Sequence, residues 1–307
     1  MKAAYFMQHG GPEVMHYGDV ADPVAGRGEI VVDVHAASVN GADWKVRAGS
    51  YAPITTFPYI PGRDFSGVVA ALGEGVSDLK VGDPVFAVCD AGQEAAYAEK
   101  VAIKAAIVAR KPEALSHEAC AALALAGLTA LVSIEDTLKL QKGETILIQG
   151  GAGGVAGIAI QIARHIGARV IATAGTANLD YVRGLGADQV IDYRTQDFTR
   201  EVSGCDCVFE TVGGDVAARS FSVLRPGGRA AFIASGGKAP ASPRPDVTSL
   251  RPAVGRDRAH LERVAQLATS GAIRVPEIEL FPLAEPVEAH RISEGRHLRG
   301  KLVFKVR

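Results

Sequence analysis

The sequence predicts an α/β protein in two parts: a β-rich, barrel-like domain, then a doubly wound parallel sheet, with the tail of the chain returning to the first part. Three observations predict it. The N-terminal third holds several short strand-like runs separated by regular turn signals. From Ser116 onward, β and α patterns alternate, the mark of a parallel sheet covered by helices on both faces. After Gly271 the chain returns to short strands. The expected divisions are residues 1–116, 117–270 and 271–307. A cleft between the two parts is the expected ligand site.

Along the chain, Met1-Lys2-Ala3-Ala4-Tyr5-Phe6 reads as a first strand and lacks the long apolar core of a signal peptide. Residues 29–36 alternate well enough for a half-buried strand, and 66–73 and 84–88 are similar. Glu74-Gly75, Gly82-Asp83 and Ala91-Gly92 mark turns between these runs. Ser116 is placed to N-cap an alanine-rich helix through Ala126. Strands are expected near 145–149, 169–173, 189–192, 206–210 and 228–234, and helices near 154–166 and 177–185. Residues 236–256 are rich in proline, glycine and arginine and read as a loop or an irregular edge. A helix near 257–269 ends at Gly271, and 300–306 forms a closing strand.

With 307 residues, 48% of them hydrophobic and 22% charged, the chain is globular and long enough for a sizeable core. A net charge of -1 argues against a nucleic-acid surface. No run approaches the ~18 apolar residues of a membrane span, so a cytoplasmic enzyme is expected. Cys89, Cys120, Cys205 and Cys207 form no paired C-x-x-C set, which argues against a structural zinc lobe. Cys205 and Cys207 alternate in a strand-like run and face one side, as buried inert thiols or as a redox pair.

Gln149-Gly150-Gly151-Ala152-Gly153-Gly154-Val155-Ala156-Gly157 lies between the apolar run 144–148 and the helical pattern 158–164. Strand, glycine turn and helix in this order place a pyrophosphate on a helix N-terminus, where glycines allow close approach and free N–H groups meet the negative charge.

Several motifs then agree. They include residues 38–49 (SVNGADWKVRAG), 60–69 (IPGRDFSGVV), 79–86 (LKVGDPVF), 185–193 (LGADQVIDY), 210–214 (ETVGG) and 299–303 (RGKLV). On these, the chain resembles the medium-chain dehydrogenase/reductase superfamily, in its zinc-independent quinone and enone reductase branch. The resemblance covers nearly the whole length. It implies a GroES-like β-barrel joined to a Rossmann domain, a nicotinamide in the cleft, and homodimers or homotetramers. Zinc-dependent relatives carry Gly-His-Glu and an upstream cysteine. Here Gly62-Arg63-Asp64 and Asn40-Gly41-Ala42-Asp43 supply neither. His35 alone cannot hold a catalytic zinc, which needs about three protein ligands. His35 is expected to end a strand, and Asp43 and Asp64 to cap or ion-pair. No metal is expected.

For the cofactor, Ala152, Gly153, Gly154, Val155 and Ala156 are expected around the pyrophosphate, with Ala156 where relatives usually have glycine and Gly157 beside it. The second strand of this part, ending Thr173-Ala174, has no Asp or Glu to grip a ribose 2′-hydroxyl, which favours NADPH. Thr173 is expected beside the cofactor, and Gly175, Thr176 and Asn178 are candidate donors there. A lysine frequent in the resembling reductases is Leu179 here. The resemblance places Tyr193 beside the adenosine phosphate, and Val212, Ile233, Ala234 and Thr129 near the nicotinamide. Thr129 is otherwise a helix threonine bonded to its own backbone. Lys301 either reaches the cofactor or decorates an exposed strand.

Reduction of an enone or quinone builds negative charge on a carbonyl oxygen, so without zinc the protein must supply donors or a cation. The resemblance points to Asn40 near the nicotinamide and to Lys45 as the cation. Lys45 is otherwise a solvated lysine on a short helix. Tyr51 either donates a proton or lines the pocket, and Trp44 is a core or wall residue rather than a catalyst. The expected function is NADPH-dependent hydride transfer to a quinone or α,β-unsaturated carbonyl. Alternatives are reduction of an enoyl thioester and a cofactor-binding, crystallin-like protein without turnover. A short-chain reductase is excluded, since neither Tyr181 nor Tyr193 has lysine four residues on.

Overall fold

A computed structural model describes residues 1–51 and 54–307. Its packing divides the chain into a first unit, Met1–Leu125, Arg256–Thr269 and Val275–Arg307, and a second unit, Ala126–Gly255 and Ser270–Arg274. In chain order the elements are β1 (Lys2–Phe6), β2 (Met15–Asp19), β3 (Glu29–Ser38), α1 (Gly41–Arg47), β4 (Asp64–Leu72), β5 (Pro84–Val88), β6 (Lys100–Lys104), β7 (Ala109–Arg110) and α2 (His117–Leu131). Then come β8 (Thr145–Ile148), α3 (Gly154–Ile166), β9 (Arg169–Ala174), α4 (Leu179–Gly184), β10 (Gln189–Asp192), α5 (Phe198–Glu201), β11 (Cys205–Glu210), α6 (Gly214–Arg219), β12 (Leu224–Phe232) and β13 (Thr248–Leu250). The chain closes with α7 (Arg258–Thr269), β14 (Ile278–Pro282), α8 (Pro286–Glu294) and β15 (Lys301–Lys305).

The first unit is built around β3. Its strands run in the order β14-β15-β3-β4-β5-β7, with β6 also paired to β3. Early in its length β3 pairs with β6, and at its end with β15, while β4 follows it through two register shifts. Bulges bend a strand and let it change partner, which curls the sheet toward a barrel. For the same reason β3 is more buried than the expected half-buried strand: only Glu29, Asp33 and His35 are not fully covered. Phe6, Ile30, Val32, Phe65, Val85, Tyr97, Ile103 and Phe304 fill the core beneath it. His35 lies inside β3 rather than ending it, half-buried, with its ring stacked on His117 at 4.3 Å between centroids. Burial lowers the pKa of both imidazoles, His117 to about 4.

The second unit is a six-stranded sheet in the order β10-β9-β8-β11-β12-β13, every pair parallel. Successive strands step outward from β8 in one direction, then from β11 in the other. The sheet therefore reverses between β8 and β11, and open α/β sheets bind ligands at the carboxyl ends of such a junction. The 236–256 segment supplies the edge strand β13 within otherwise irregular chain. Cys205 and Cys207 are buried free thiols on β11, and burial pushes their pKa values up to about 11 and about 12, as suits inert packing residues.

Two expectations are corrected. Helix α7, expected with the second part, belongs to the first unit. Arg258 ties it there, donating to the Asp78 carboxylate at 2.6 Å and the Ala105 carbonyl at 2.7 Å, while Arg256 donates to the Cys89 carbonyl at 3.1 Å. Helix α2 starts as expected, with the Ser116 hydroxyl accepting from the Ala119 N–H at 3.1 Å. It does not stop at Ala126 but runs through Leu131 into a π-helical turn, Val132–Thr137. No proline interrupts it, and Leu128, Ala130, Leu131 and Ile134 are all buried. Among the described residues His117–Thr137 is the helix long and apolar enough to cross a membrane, yet 78% of its most apolar stretch is buried inside the protein. A helix apolar on all sides and so covered is a core helix.

Trp44 is the single tryptophan and reports on the first unit. Phe65→Ala, which empties a fully buried site in β4, should destabilise that unit by about 3–5 kcal/mol. Leu72→Ala, at the exposed end of the same strand, should cost under about 1 kcal/mol. Urea unfolding followed by Trp44 fluorescence distinguishes the two, and equal midpoints would refute the placement of Phe65 in the core.

Candidate functional site

In the second unit, β8 runs directly into the glycine turn. Gln149, almost fully buried, locks the turn from below. Its Oε1 accepts from the Thr173 hydroxyl at 2.7 Å, its Nε2 donates to Ser220 Oγ at 3.3 Å, and its carbonyl accepts from the Thr211 hydroxyl at 2.8 Å. Gly150 has φ +74°, open to glycine at little strain, and its N–H donates to Thr173 Oγ1 at 3.1 Å. A side chain at Gly151 would come within 3.1–3.2 Å of Val182, Ala172 and Ile160. Gly153 precedes α3 in extended conformation without a capping side chain. The first-turn N–H groups of a helix have no intrahelical acceptor, so α3 presents them, with the positive end of its dipole, to an anion.

Ala156 is accommodated almost fully buried, and Gly157 takes the close contact. A side chain at Gly157 would lie 3.1 Å from Leu185 Cδ1. Thr173 is corrected from an expected cofactor residue to a structural one. Its hydroxyl donates to Gln149 and accepts from Gly150, which holds the turn.

At the end of β9, Gly175 and the turn Thr176–Asn178 carry no acid. Tyr193 stands 51% exposed beside them, its hydroxyl 3.1 Å from where a Gly175 Cβ would lie, with Arg194 Nε at 3.5 Å from the same point. A carboxylate does lie one strand over. Asp192 ends β10 opposite Ala174 and accepts from the Thr176 hydroxyl at 2.6 Å and the Arg194 N–H at 3.0 Å. The hydroxyl bond holds its pKa below the ordinary carboxylate range. Across the switch point, Glu210 Oε1 accepts from the Val212 and Gly213 N–H groups at 2.6 and 2.7 Å. Ile233, half-buried, bonds the Glu210 carbonyl at 3.1 Å, and Ala234 lies against Gly213. Burial raises the Glu210 pKa. The sheet thus gathers 150–156, Gly175, Asn178, Tyr193, Val212, Ile233 and Ala234 at its carboxyl edge. Thr129 lies half-buried in α2, and its carbonyl accepts from the Ser133 hydroxyl at 2.6 Å.

The first unit holds a second polar centre, where β3 hands over to α1. Asp64, fully buried, accepts from the Ser38 hydroxyl at 2.8 Å, Asn40 Nδ2 at 2.7 Å and the Leu125 N–H at 3.0 Å. Asn40 Nδ2 also donates to the Ser38 carbonyl at 3.2 Å, and Asn40 Oδ1 accepts from Lys301 Nζ at 2.7 Å. An asparagine amide has two N–H donors. Both are committed here, which removes Asn40 as the expected donor to a substrate oxygen. Lys301 is neither exposed nor a decoration: it is 5% exposed, and its ammonium also donates to the Val39 carbonyl at 2.8 Å. Burial lowers the Lys301 pKa against the opposing pull of Asp64, and burial raises that of Asp64.

Asp43, at the third position of α1, accepts from the Asn40 N–H at 2.9 Å and the Tyr97 hydroxyl at 2.8 Å, and pairs with Arg63 at 3.4 Å. The capping and ion-pairing role expected of Asp43 is thereby seen. Arg63 also faces Glu94 at 3.5 Å, and its guanidinium sits 5.2 Å from the centre of the Tyr51 ring. Tyr51 is 55% exposed. Lys45 is half-buried on α1, its ammonium 5.6 Å from the centre of the Trp44 ring, which Arg296 also faces at 5.4 Å. The residues that sequence reasoning missed are Gln149, Glu210 and Tyr97. A polar residue at the end of an apolar run was the available signal for the first two, and Tyr97 carried none.

Burial is the largest influence on Asp43 and raises its pKa from 3.8 to about 6. A carboxyl raised in the fold contributes stability that is present at low pH and lost as pH rises through about 6. Relative to Asp43→Asn, the wild-type protein should therefore gain about 3 kcal/mol as pH falls from neutral toward 4. Paired thermal melts across that range check it, and a pH-independent difference would contradict the shift.

Known proteins carry the same organisation. Residues 26–113 match the family model described as alcohol dehydrogenase GroES-like domain, and residues 185–304 the one described as zinc-binding dehydrogenase. A quinone oxidoreductase of Sus scrofa is 32% identical, covering 99% of this chain and 97% of that protein. A chloroplastic NADPH-dependent alkenal/one oxidoreductase of Arabidopsis thaliana is 31% identical, covering 99% of this chain and 79% of that protein. The structure of the Escherichia coli quinone oxidoreductase complexed with NADPH superposes with a TM-score of 0.91 at 28% identity over 100% of both chains.

The zinc in the second family description does not fit these residues. Arg63, a fixed cation, stands between Asp43 and Glu94, and among the described residues no three His, Cys, Asp or Glu side chains gather where a metal could be held. With a GroES-like first unit, a Rossmann-type second unit and full-length likeness to quinone oxidoreductases, the chain belongs to the zinc-independent quinone oxidoreductase branch of the medium-chain dehydrogenase/reductase superfamily.

Proposed function

We propose that this chain is an NADPH-dependent reductase that transfers hydride to a quinone or an α,β-unsaturated carbonyl, with the second unit binding cofactor and the first supplying the catalytic side chains. The observation that carries the reading is the likeness of 99% of this chain to quinone oxidoreductase and to alkenal/one oxidoreductase. The residues fit the cofactor. Ala152, Gly153, Gly154, Val155 and Ala156 surround an anion-ready helix start at the switch point of the sheet. The Tyr193 hydroxyl and the Arg194 side chain lie beside Gly175, where β9 ends without an acid, and suit a ribose 2′-phosphate. Val212, Ile233, Ala234 and Thr129 are assigned to the nicotinamide side, and Asn178 to the adenosine side.

When bound, NADPH supplies the hydride. The protein's part is to hold the acceptor and stabilise the negative charge that develops on its oxygen. Since the Asn40 donors are committed elsewhere, that task falls to Lys45 and Tyr51. Lys45 offers a cation on a capped helix. Tyr51 offers a hydroxyl on a ring covered by the Arg63 guanidinium. The proton comes from Tyr51 or from water. The same reading places the protein in the cytoplasm, acting on a small molecule as a homodimer or homotetramer.

Oxidation of NADPH, compared with NADH, against quinones, enones and enoyl thioesters tests the reading. Turnover is expected with the first two classes and with NADPH preferred. Turnover confined to enoyl thioesters would move the substrate class. NADPH binding with no turnover would make the chain a crystallin-like binder. Lys45→Ala should lower kcat for an enone by about 10–100-fold while leaving the KM for NADPH unchanged. Unchanged turnover would remove Lys45 from the mechanism.

A further inference from the structure

We propose that Lys301 is a positioning residue: acting through the Asn40 side-chain amide, which Asp64 holds from the other side, it sets the orientation of helix α1 and of Lys45 upon it. The part about Lys45 rests on the function proposed above.

The Asn40 amide lies between opposite charges. Its NH₂ end meets the Asp64 carboxylate at 2.7 Å and its oxygen meets the Lys301 ammonium at 2.7 Å. A flipped amide would point donors at an ammonium and an acceptor at a carboxylate, so one orientation survives. That orientation belongs to the residue that starts α1. The Asn40 N–H donates to the Asp43 carboxylate at 2.9 Å, and its carbonyl accepts from the Asp43 N–H at 3.0 Å.

Strand β15 grips the preceding residue from both sides as well. The Val39 N–H donates to the Leu302 carbonyl at 2.9 Å, and the Val39 carbonyl accepts from Lys301 Nζ at 2.8 Å. Helix α1 has seven residues, too few to hold its own direction in water. Its far end is anchored separately: the buried Arg47 donates to Glu294 at 2.7 Å and to the Gly10 carbonyl at 3.1 Å. Lys301 therefore controls the near end, five positions before Lys45.

Replacing a lysine that served only as a buried charge partner would cost stability, by leaving Asp64 uncompensated, but would leave the turnover of the folded protein unchanged. Replacing a positioning lysine would not, since misplacement of a reacting group by about 1 Å can lower a rate about a hundredfold. Lys301→Met and Asn40→Ala should each lower kcat for an enone about tenfold, with the KM for NADPH within about twofold of wild type. Because Asn40 acts on the helix through the amide that Lys301 holds, and Lys301 also bonds the Val39 carbonyl, the double variant should fall no further than Lys301→Met alone. Losses that multiply to about a hundredfold would overturn the proposal. So would a rise in the KM for NADPH at unchanged kcat, which would make Lys301 a cofactor ligand. If Lys301→Met does not fold, Asn40→Ala carries the same kcat and KM comparison. Hydrogen exchange of amides 41–47, measured without substrate, should rise in Asn40→Ala and in Lys301→Met. Unchanged exchange overturns the positioning role even if the wild-type protein turns over no quinone or enone, the result that defeats the proposed function instead.

Discussion

A buried carboxylate must be stabilised by what surrounds it, and Asp64 organises the first unit for that reason. Its oxygens collect the Ser38 hydroxyl, the Asn40 amide and the Leu125 N–H, with the Lys301 ammonium facing it through Asn40. Those partners come from β3, the start of α1, α2 and β15. Leaving one such partner out would strand a buried charge at a penalty of several kcal/mol, so the four elements are held to one arrangement. The neighbouring Asp43 repeats the device one turn on, using Tyr97, Arg63 and the N-terminus of α1. The short helix that carries Lys45 is thus directed by buried polar groups rather than by its own helical preference.

The second unit depends on a different constraint. A sheet that reverses its strand order leaves a gap at the carboxyl ends of β8 and β11, and chain crossing that gap must be small. Gly150 and Gly151 meet this demand, while Gln149 and Thr173 bond the turn into the sheet beneath it. The polar atoms that look most available in sequence are the ones doing this structural task. The Thr173 hydroxyl and the Val212 N–H are both satisfied within the protein. The start of α3, which no side chain caps, and the exposed ring of Tyr193 are open to a ligand.

Much of the fold was legible in the sequence because its elements announce themselves locally. The run 145–148, the glycines after it and the apolar helix that follows could be read as strand, turn and helix with little error at either end. The end of helix α2 is not legible in the sequence, since an alanine-rich segment carries few signals of where it stops and its burial decides the matter. Helix α7 is legible as a helix but its unit is not, because its attachment depends on Arg256 and Arg258 reaching partners far away in sequence.

By itself, the sequence determined the alternation of elements, the glycine turn and the absence of an acid at the end of β9, and through its motifs the family. These are properties of neighbouring residues, set by backbone preference and hydrophobic period. The roles of individual polar side chains were decided only by the tertiary structure. Asn40 spends its donors on Asp64 and Ser38, Lys301, open in sequence between cofactor contact and an exposed strand, is buried on Asn40 and Val39, and Thr173 is a brace. Whether a side chain can act on a ligand depends on which of its hydrogen-bonding groups are already taken. Here the groups that take them lie as far apart in the chain as residues 40 and 301, where no local pattern can reveal them.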